Sequence, residues 1–362
     1  MRIAVNGLTL TRTMTGIGRT TLHTLKALLR ANREDEFWLF LPSDAPDDLG
    51  LDAPNLELIR TDVSLTQAFR SVVFEEFGLP LRLKGARIDL YYAPSFLLPA
   101  LRGAEHEVIC VHDLAWRVLP KSKSLRFRTY MNARLPSALK RAARIVCVSE
   151  ATRSDLLRHY AKTDPDRVRV VHNGVDLDVF RPGDAPDPEA TPYLAVVGNQ
   201  DPRKNVETLL EAFPVFRARM RACRLVMVGP GRPPAAKPAA VDVLGYLPDE
   251  ELATLYRGAL MVVQPSLYEG FGLPLLEAMA CGTPVACADI AVFREVAADC
   301  ARYFDPTKPG TIAQAMENLA RDDDLRADLT ARPLARARRS PGGATARGLM
   351  AGRDEAAGRG PR

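Results

Sequence analysis

Between Pro265 and Val285 the chain reads PSLYEGFGLPLLEAMACGTPV, and few architectures can hold that pattern. The residues ahead of it, Met261 to Ser266, have the apolar character of a buried strand end. Tyr268-Glu269-Gly270-Phe271-Gly272 is a glycine-rich loop. Leu273-Pro274 opens a helix and Gly282 stops it. Proline is at home in a first helical turn, where its missing N–H is not needed. Glycines allow a tight turn and close approach of a ligand. The N–H groups at a helix start make a ready anion site. The stretch therefore predicts a strand–loop–helix phosphate cradle in an α/β protein.

Two carboxylates flank the cradle, Glu269 in the loop and Glu277 about one turn into the helix. Taken alone, Glu269 is a solvated loop acid and Glu277 a first-turn acid facing the helix dipole. Beside a phosphate site both need other work, and a carboxylate accepts sugar or ribose hydroxyls well. Together with the glycines and the proline they read as one site.

Other segments supply the same rim. Arg2 to Val5 reads as a buried strand, and Gly16-Ile17-Gly18-Arg19 sits at the turn into the next helix. Thr21 breaks any G-x-G-x-x-G fingerprint, so Gly16 marks either a plain turn or a phosphate contact. The strand at 106–116 runs into His112-Asp113. A histidine at a strand end is ordinarily a structural hydrogen-bonder, but His112 lies at the ligand edge. After Tyr193 to Asn199 comes Gln200-Asp201-Pro202-Arg203-Lys204-Asn205. The adjacent cations Arg203 and Lys204 suit a pyrophosphate leaving group, against the plainer reading of a solvated basic turn.

The run EGFGLPLLEAMACGTPV closely resembles the E-x7-E signature of glycosyltransferase family four, retaining enzymes of the GT-B fold that use nucleotide-diphosphate sugars. VSEATRSDL (148–156), HNGVD (172–176) and the Pro202-Arg203-Lys204-Asn205 stretch resemble the same family. The resemblance covers the chain to about Leu329. It implies an α/β protein of two Rossmann-like domains facing across a cleft. It implies that Glu277 holds the ribose hydroxyls and that Glu269 and His112 contact the donor sugar. Amides at Gly270, Phe271, Gly272 and Leu273, with Gly16, meet sugar and phosphate, and Arg203 and Lys204 meet the diphosphate. The more common family form places Arg just after the strand glycine, where this chain has Asn199, so the carry-over is firmer at Lys204 than at Arg203.

The expected reaction is metal-independent transfer of a hexose, GDP-mannose being the first donor suggested by the P-R-K-N form. The acceptor is a glycan, a lipid-linked glycan or a small molecule. No cofactor is expected, the nucleotide-sugar being a substrate, and no strand end carries a D-x-D pair. Rival readings are a phosphorylase or epimerase on the same fold and an inactive nucleotide-sugar-binding scaffold.

The 362 residues suffice for two domains. The expected plan is an acceptor-side domain over 1–180, a Pro/Asp/Ala linker over 181–192, a nucleotide-sugar domain over 193–330, and a tail over 331–362 too poor in apolar residues to order itself. No run spans a bilayer, the N-terminus lacks a signal-peptide pattern, and six scattered cysteines fit a cytoplasmic protein with reduced thiols. The net charge of +5 accompanies no nucleic-acid motif. Ser124 to Ala143 is basic and apolar together. It reads as a helix pair broken near Pro136, first as an ordinary surface helix and second as a peripheral contact with an anionic membrane.

Overall fold

The computed structural model describes residues 1–64, 68–183, 191–198, 201–229 and 238–337. These form two compact units. The first comprises Met1–Leu114 and Leu125–Gly174, and the second comprises Ala115–Ser124 and the described residues from Val175 onward. Residues 184–190 of the expected linker lie outside the described residues.

In the first unit β1 (Arg2–Asn6) leads into α1 (Gly16–Ala31), then β2 (Glu36–Leu41) and β3 (Leu56–Arg60). A helical segment follows as α2 (Ala68–Val73), a π-helical turn (Phe74–Gly78) and α3 (Leu79–Gly85). Next come β4 (Leu90–Ala93) and β5 (His106–Val111). The short α4 (Ala115–Val118) belongs to the second unit. The first unit then closes with α5 (Leu125–Arg141), β6 (Arg144–Cys147), α6 (Glu150–His159) and β7 (Val168–Val170). The sheet order is β3-β2-β1-β4-β5-β6-β7, parallel throughout. Ser149 caps α6 by accepting a hydrogen bond from the Thr152 amide at 3.0 Å, as expected of a serine before a helix.

The second unit repeats the plan. β8 (Tyr193–Val197), a 3₁₀ turn (Pro202–Lys204), α7 (Val206–Arg219), β9 (Arg224–Val228) and β10 (Val241–Leu244) make one half. The other half is α8 (Asp249–Gly258), β11 (Met261–Gln264), α9 (Leu273–Ala280), β12 (Val285–Ala288), α10 (Ala291–Ala297) and β13 (Arg302–Phe304), followed by α11 (Pro309–Arg321) and α12 (Asp323–Ala337). Its order is β10-β9-β8-β11-β12-β13, again parallel. Central strands are buried along their whole length, as in Met261–Gln264 and Val285–Ala288. Helices cover both faces of such sheets, so these strands are continuous apolar runs. In each unit the strand order reverses direction beside the first strand, between β1 and β4 and between β8 and β11. Ligands of open α/β sheets bind at that reversal, beyond the carboxyl ends of the strands.

Two expectations change. Pro136 does not break the segment over 124–143. It lies inside a single helix, α5, whose buried Met131, Leu135, Ala138 and Leu139 straddle it. Burial on both sides outweighs the one backbone hydrogen bond that proline removes. The chain also keeps its helix past Ala331, to Ala337. Arg336 donates to the Val296 carbonyl at 2.5 Å and the Glu295 carbonyl at 2.6 Å, near the end of α10. Arg332 reaches Asp299 at 3.1 Å. Arginines capping the last carbonyls of another helix supply what the missing apolar face does not. Residues 338–362 of the expected tail lie outside the described residues. All six cysteines are buried free thiols.

Candidate active site

The reversal between β8 and β11 assembles the second unit's cluster. Asp201 introduces the 3₁₀ turn, its carboxylate accepting the Arg203 amide at 3.1 Å, and Pro202 fixes the first position. The turn ends at Asn205, which adopts the left-handed conformation with φ 54°, a region asparagine tolerates. Asn205 Nδ2 donates to the carbonyls of Pro265 and Pro306, at 3.0 and 2.7 Å. The Leu267 amide donates to the Arg203 carbonyl at 2.8 Å. The turn after β8 is thereby fastened to the loop after β11.

That fastening brings opposite charges together. Lys204 Nζ lies 2.5 Å from Glu269 Oε1 and Arg203 Nη1 lies 2.8 Å from Glu269 Oε2. Ser266 Oγ donates to Glu269 Oε1 at 2.8 Å and is itself held by Gln264 Nε2 at 3.1 Å. Asp201 Oδ2 accepts from Lys123 at 2.6 Å and from Arg203 Nε at 3.2 Å. Among the described residues three cations (Lys123, Arg203, Lys204) thus pair with two carboxylates (Asp201, Glu269). Glu269 is 8 % exposed. Burial alone would raise its pKa, but Lys204, then Arg203, and the hydrogen bonds from Lys204 and Ser266 outweigh burial and hold it below the ordinary carboxylate range. Burial likewise works against Asp201, and its bonds to Lys123 and the Arg203 amide keep that carboxyl low.

α9 starts beside this cluster. Gly272 is its N-cap at φ 102°, and no side chain caps the helix. A Cβ at Gly272 would stand 2.8 Å from Phe293, so both backbone and packing require glycine there. Gly270 and Phe271 are buried in the approach and Leu273 begins the helix. Glu277 is buried one turn on, its Oε2 accepting from the Tyr256 hydroxyl at 3.1 Å.

Two expected residues belong to the first unit. His112 follows β5, with Nε2 2.6 Å from the Pro94 carbonyl and the ring edge-on to Phe96, centroids 5.7 Å apart. Phe96 itself has φ 37°, a strained value for an aromatic residue. Burial pulls the His112 pKa down, but Cys110, the Pro94 carbonyl and Asp113 push it up further, to about 9. Facing a carbonyl oxygen, His112 Nε2 carries a proton and donates, so that nitrogen does not serve as a base. Its own carbonyl accepts from Thr152 Oγ1 at 3.3 Å. Gly16 is exposed as the first residue of α1, and a Cβ there would meet nothing.

Sequence reasoning passed over Asp201, Lys123, Ser266 and Asn205. Asp201 had a local signal, an acid directly before proline at a turn. Lys123 had none, since it reaches Asp201 across 78 positions. No group of three or more His, Cys, Asp or Glu side chains that could hold a metal ion occurs among the described residues. No helix among them is long and apolar enough to cross a membrane.

The sequence of residues 14–179 matches the model of Glycosyltransferase Family 4, and residues 182–333 match that of Glycosyl transferases group 1. The chain is 30% identical over 358 residues to O-antigen chain mannosyltransferase B of Escherichia coli, covering 90% of this chain and 92% of that protein. The chain belongs to glycosyltransferase family 4. Family 4 membership agrees with the fold. Sucrose-phosphate synthase from Thermosynechococcus elongatus superposes with a TM-score of 0.78 over 99% of this chain and all of that one, at 21% identity. Anabaena Alr3699/HepE, solved in complex with UDP and glucose, gives 0.68 over 98% of this chain and 100% of that one, at 17% identity. This family 4 glycosyltransferase therefore has the α/β, GT-B fold expected from its sequence.

Proposed function

We propose that this glycosyltransferase is a retaining, metal-independent mannosyltransferase. It moves mannose from GDP-mannose to a hydroxyl of a glycan, a lipid-linked glycan or a small molecule. The observation that carries the reading is the convergence of Arg203 and Lys204 on buried Glu269 beside the uncapped start of α9. A nucleotide diphosphate gains negative charge as its bond to the sugar breaks. Preorganised cations and helix N–H groups aimed at that charge lower the barrier. The name of the Escherichia coli relative supports mannose, and the UDP and glucose of the Anabaena protein support a nucleotide-linked donor.

Each group then has a task. Lys204 and Arg203 hold the diphosphate and meet its growing charge. Lys123 and Asp201 keep Arg203 in place. Glu269, with about four acceptor sites of which Lys204, Arg203 and Ser266 take three, positions both cations and has one left for a sugar hydroxyl. Glu277 takes the ribose hydroxyls. The amides at 270–273 lie along sugar and phosphate, and His112 is a hydrogen-bond donor on the first unit. The anomeric carbon–phosphate oxygen bond breaks, the acceptor oxygen bonds to the same face, and its proton passes to the departing phosphate. The first unit serves the acceptor and the second the nucleotide-sugar, in the cytoplasm.

A thermal-shift panel of GDP, UDP and dTDP tests the base, followed by turnover of the matching sugar donors in EDTA. The expected result is stabilisation by GDP and consumption of GDP-mannose that chelator leaves unchanged. A shift by UDP alone overturns the donor, and Mg²⁺-restored turnover overturns metal independence. Binding without turnover points to a scaffold, and dependence on inorganic phosphate to a phosphorylase.

A further inference from the structure

The helical segment of α2, the π turn and α3 is apolar on the wrong side. Its inner face is buried through Ser71, Leu79 and Leu83. Its outer face carries Phe69, Val73, Phe77 and Leu81, with Phe69 82% and Leu81 64% exposed. A four-residue spacing drifts around a pure α-helix by about 40° per step. The wider π turn, closed by the Leu79 amide on the Phe74 carbonyl, rotates the other way and keeps the four on one stripe.

Glu76 joins that stripe to its surroundings. Its carboxylate accepts from Arg134 Nη2 at 2.8 and 2.6 Å, from the Ala100 amide at 2.6 Å and from the Tyr130 hydroxyl at 3.4 Å. The neighbouring loop and the start of α5 add exposed Leu101, Leu125 and Phe127. Among the described residues, most of the large exposed apolar side chains of the molecule fall in this one region.

The exposed charges on the segment and the start of α5 are mostly positive. Arg70, Arg82 and Lys84 stand exposed on the helical segment, with Arg102 and Arg126 alongside. From Leu114 to Ser149 there is no Asp or Glu. On the segment itself the acids are Glu75 and Glu76. Glu76 is neutralised by Arg134, and Glu75 turns toward Asn6, with burial first among the causes that keep its proton on up to about pH 7. An exposed apolar stripe ringed by cations suits an interfacial helix that sinks its bulky residues among lipid headgroups while arginines meet phosphates.

We infer that this face of the first unit docks on an anionic lipid bilayer, with Phe69, Phe77 and Leu81 entering the headgroup layer. The contact shifts from the sequence-level candidate, the whole of 124–143, to α2–α3 with only the first turns of α5. It is independent of which donor the enzyme uses.

Co-sedimentation of the full chain with vesicles tests it. The wild type is expected to pellet with phosphatidylcholine–phosphatidylglycerol vesicles, less so at high salt, and to stay in solution with phosphatidylcholine alone. F69S/F77S/L81S and, separately, R70E/R82E/K84E are expected to lose the pelleting, while Val215→Ser, an exposed apolar site on α7, keeps it. Melting curves establish that each variant is folded, and Leu81→Ser alone, expected to weaken pelleting, replaces any triple variant that is not. Wild type left in solution, undiminished pelleting of the folded variants, or equal binding to both vesicle types overturns the proposal. A wild-type dimer that F69S/F77S/L81S turns monomeric, with no vesicle binding by either, also overturns it and assigns the face to a second copy.

Discussion

Lys204 and Glu269 stand 65 positions apart in the chain and meet at 2.5 Å. The strand order produces the pairing, since one residue follows β8, the other follows β11, and those strands are neighbours. The nearby start of α9 gives this one rim both ion-paired cations and fixed amide dipoles.

Glu277→Gln should weaken nucleotide binding by about 1.5–3 kcal/mol, the loss of a charged hydrogen bond. Glutamine preserves an acceptor for the Tyr256 hydroxyl, so the fold should hold. Calorimetric titration with GDP on a variant of normal melting temperature checks it. Unchanged affinity would remove Glu277 from the ribose.

The site should also contribute to acid stability. The folded pKa of Glu269 is depressed, so its stabilisation is fully present above the unfolded carboxylate value of about 4.3. It is lost as pH falls through the folded pKa. Glu269→Gln should cost about 1–3 kcal/mol at neutral pH, with the gap to wild type closing toward acid. Denaturant melts across that range measure the gap, and a constant gap would contradict the ion-pair account.

Glu75 has the opposite sign. Burial pushes it up to about 7, against the Asn6 hydrogen bond and with help from the Glu76 charge. Folding stability linked to Glu75 is therefore full below about pH 4.3 and lost as pH rises to about 7. Glu75→Gln should remove that slope and stabilise the protein above pH 7 by about 1–3 kcal/mol. Parallel melting curves for variant and wild type at every pH would refute it.

Where structure was legible, the deciding chemistry was local. The cradle at 265–285 announces itself through glycine, proline and two acids within one turn and one helix. Arg203 and Lys204 stood out as neighbours at a rim. Lys123 and Ser266 did not, because their importance lies in partners brought near by the sheet order. Pro136 misled because propensity knows nothing of the burial on either side of it. The helix past Ala331 escaped notice because Arg336 orders it through the carbonyls of Glu295 and Val296, a contact that a count of apolar residues leaves out. The outward apolar stripe of α2, the π turn and α3 inverts the usual rule that bulky apolar side chains turn inward.

Gly272→Ala should destabilise the second unit by about 1–3 kcal/mol through its left-handed backbone, with the Phe293 contact adding to it. Gly16→Ala should leave stability nearly unchanged, since open space surrounds that position. Melting temperatures of the two variants compare them directly. Equal losses would mean that the α9 cap is not strained as described.

The task proposed for Lys204 is to meet charge that develops on a departing nucleotide diphosphate. The most direct measurement is the steady-state release of GDP from GDP-mannose by wild type and Lys204→Ala. The expected result is a fall in kcat of roughly 10²-fold or more, with KM changed far less. A folded variant with normal kcat and a raised KM would contradict it.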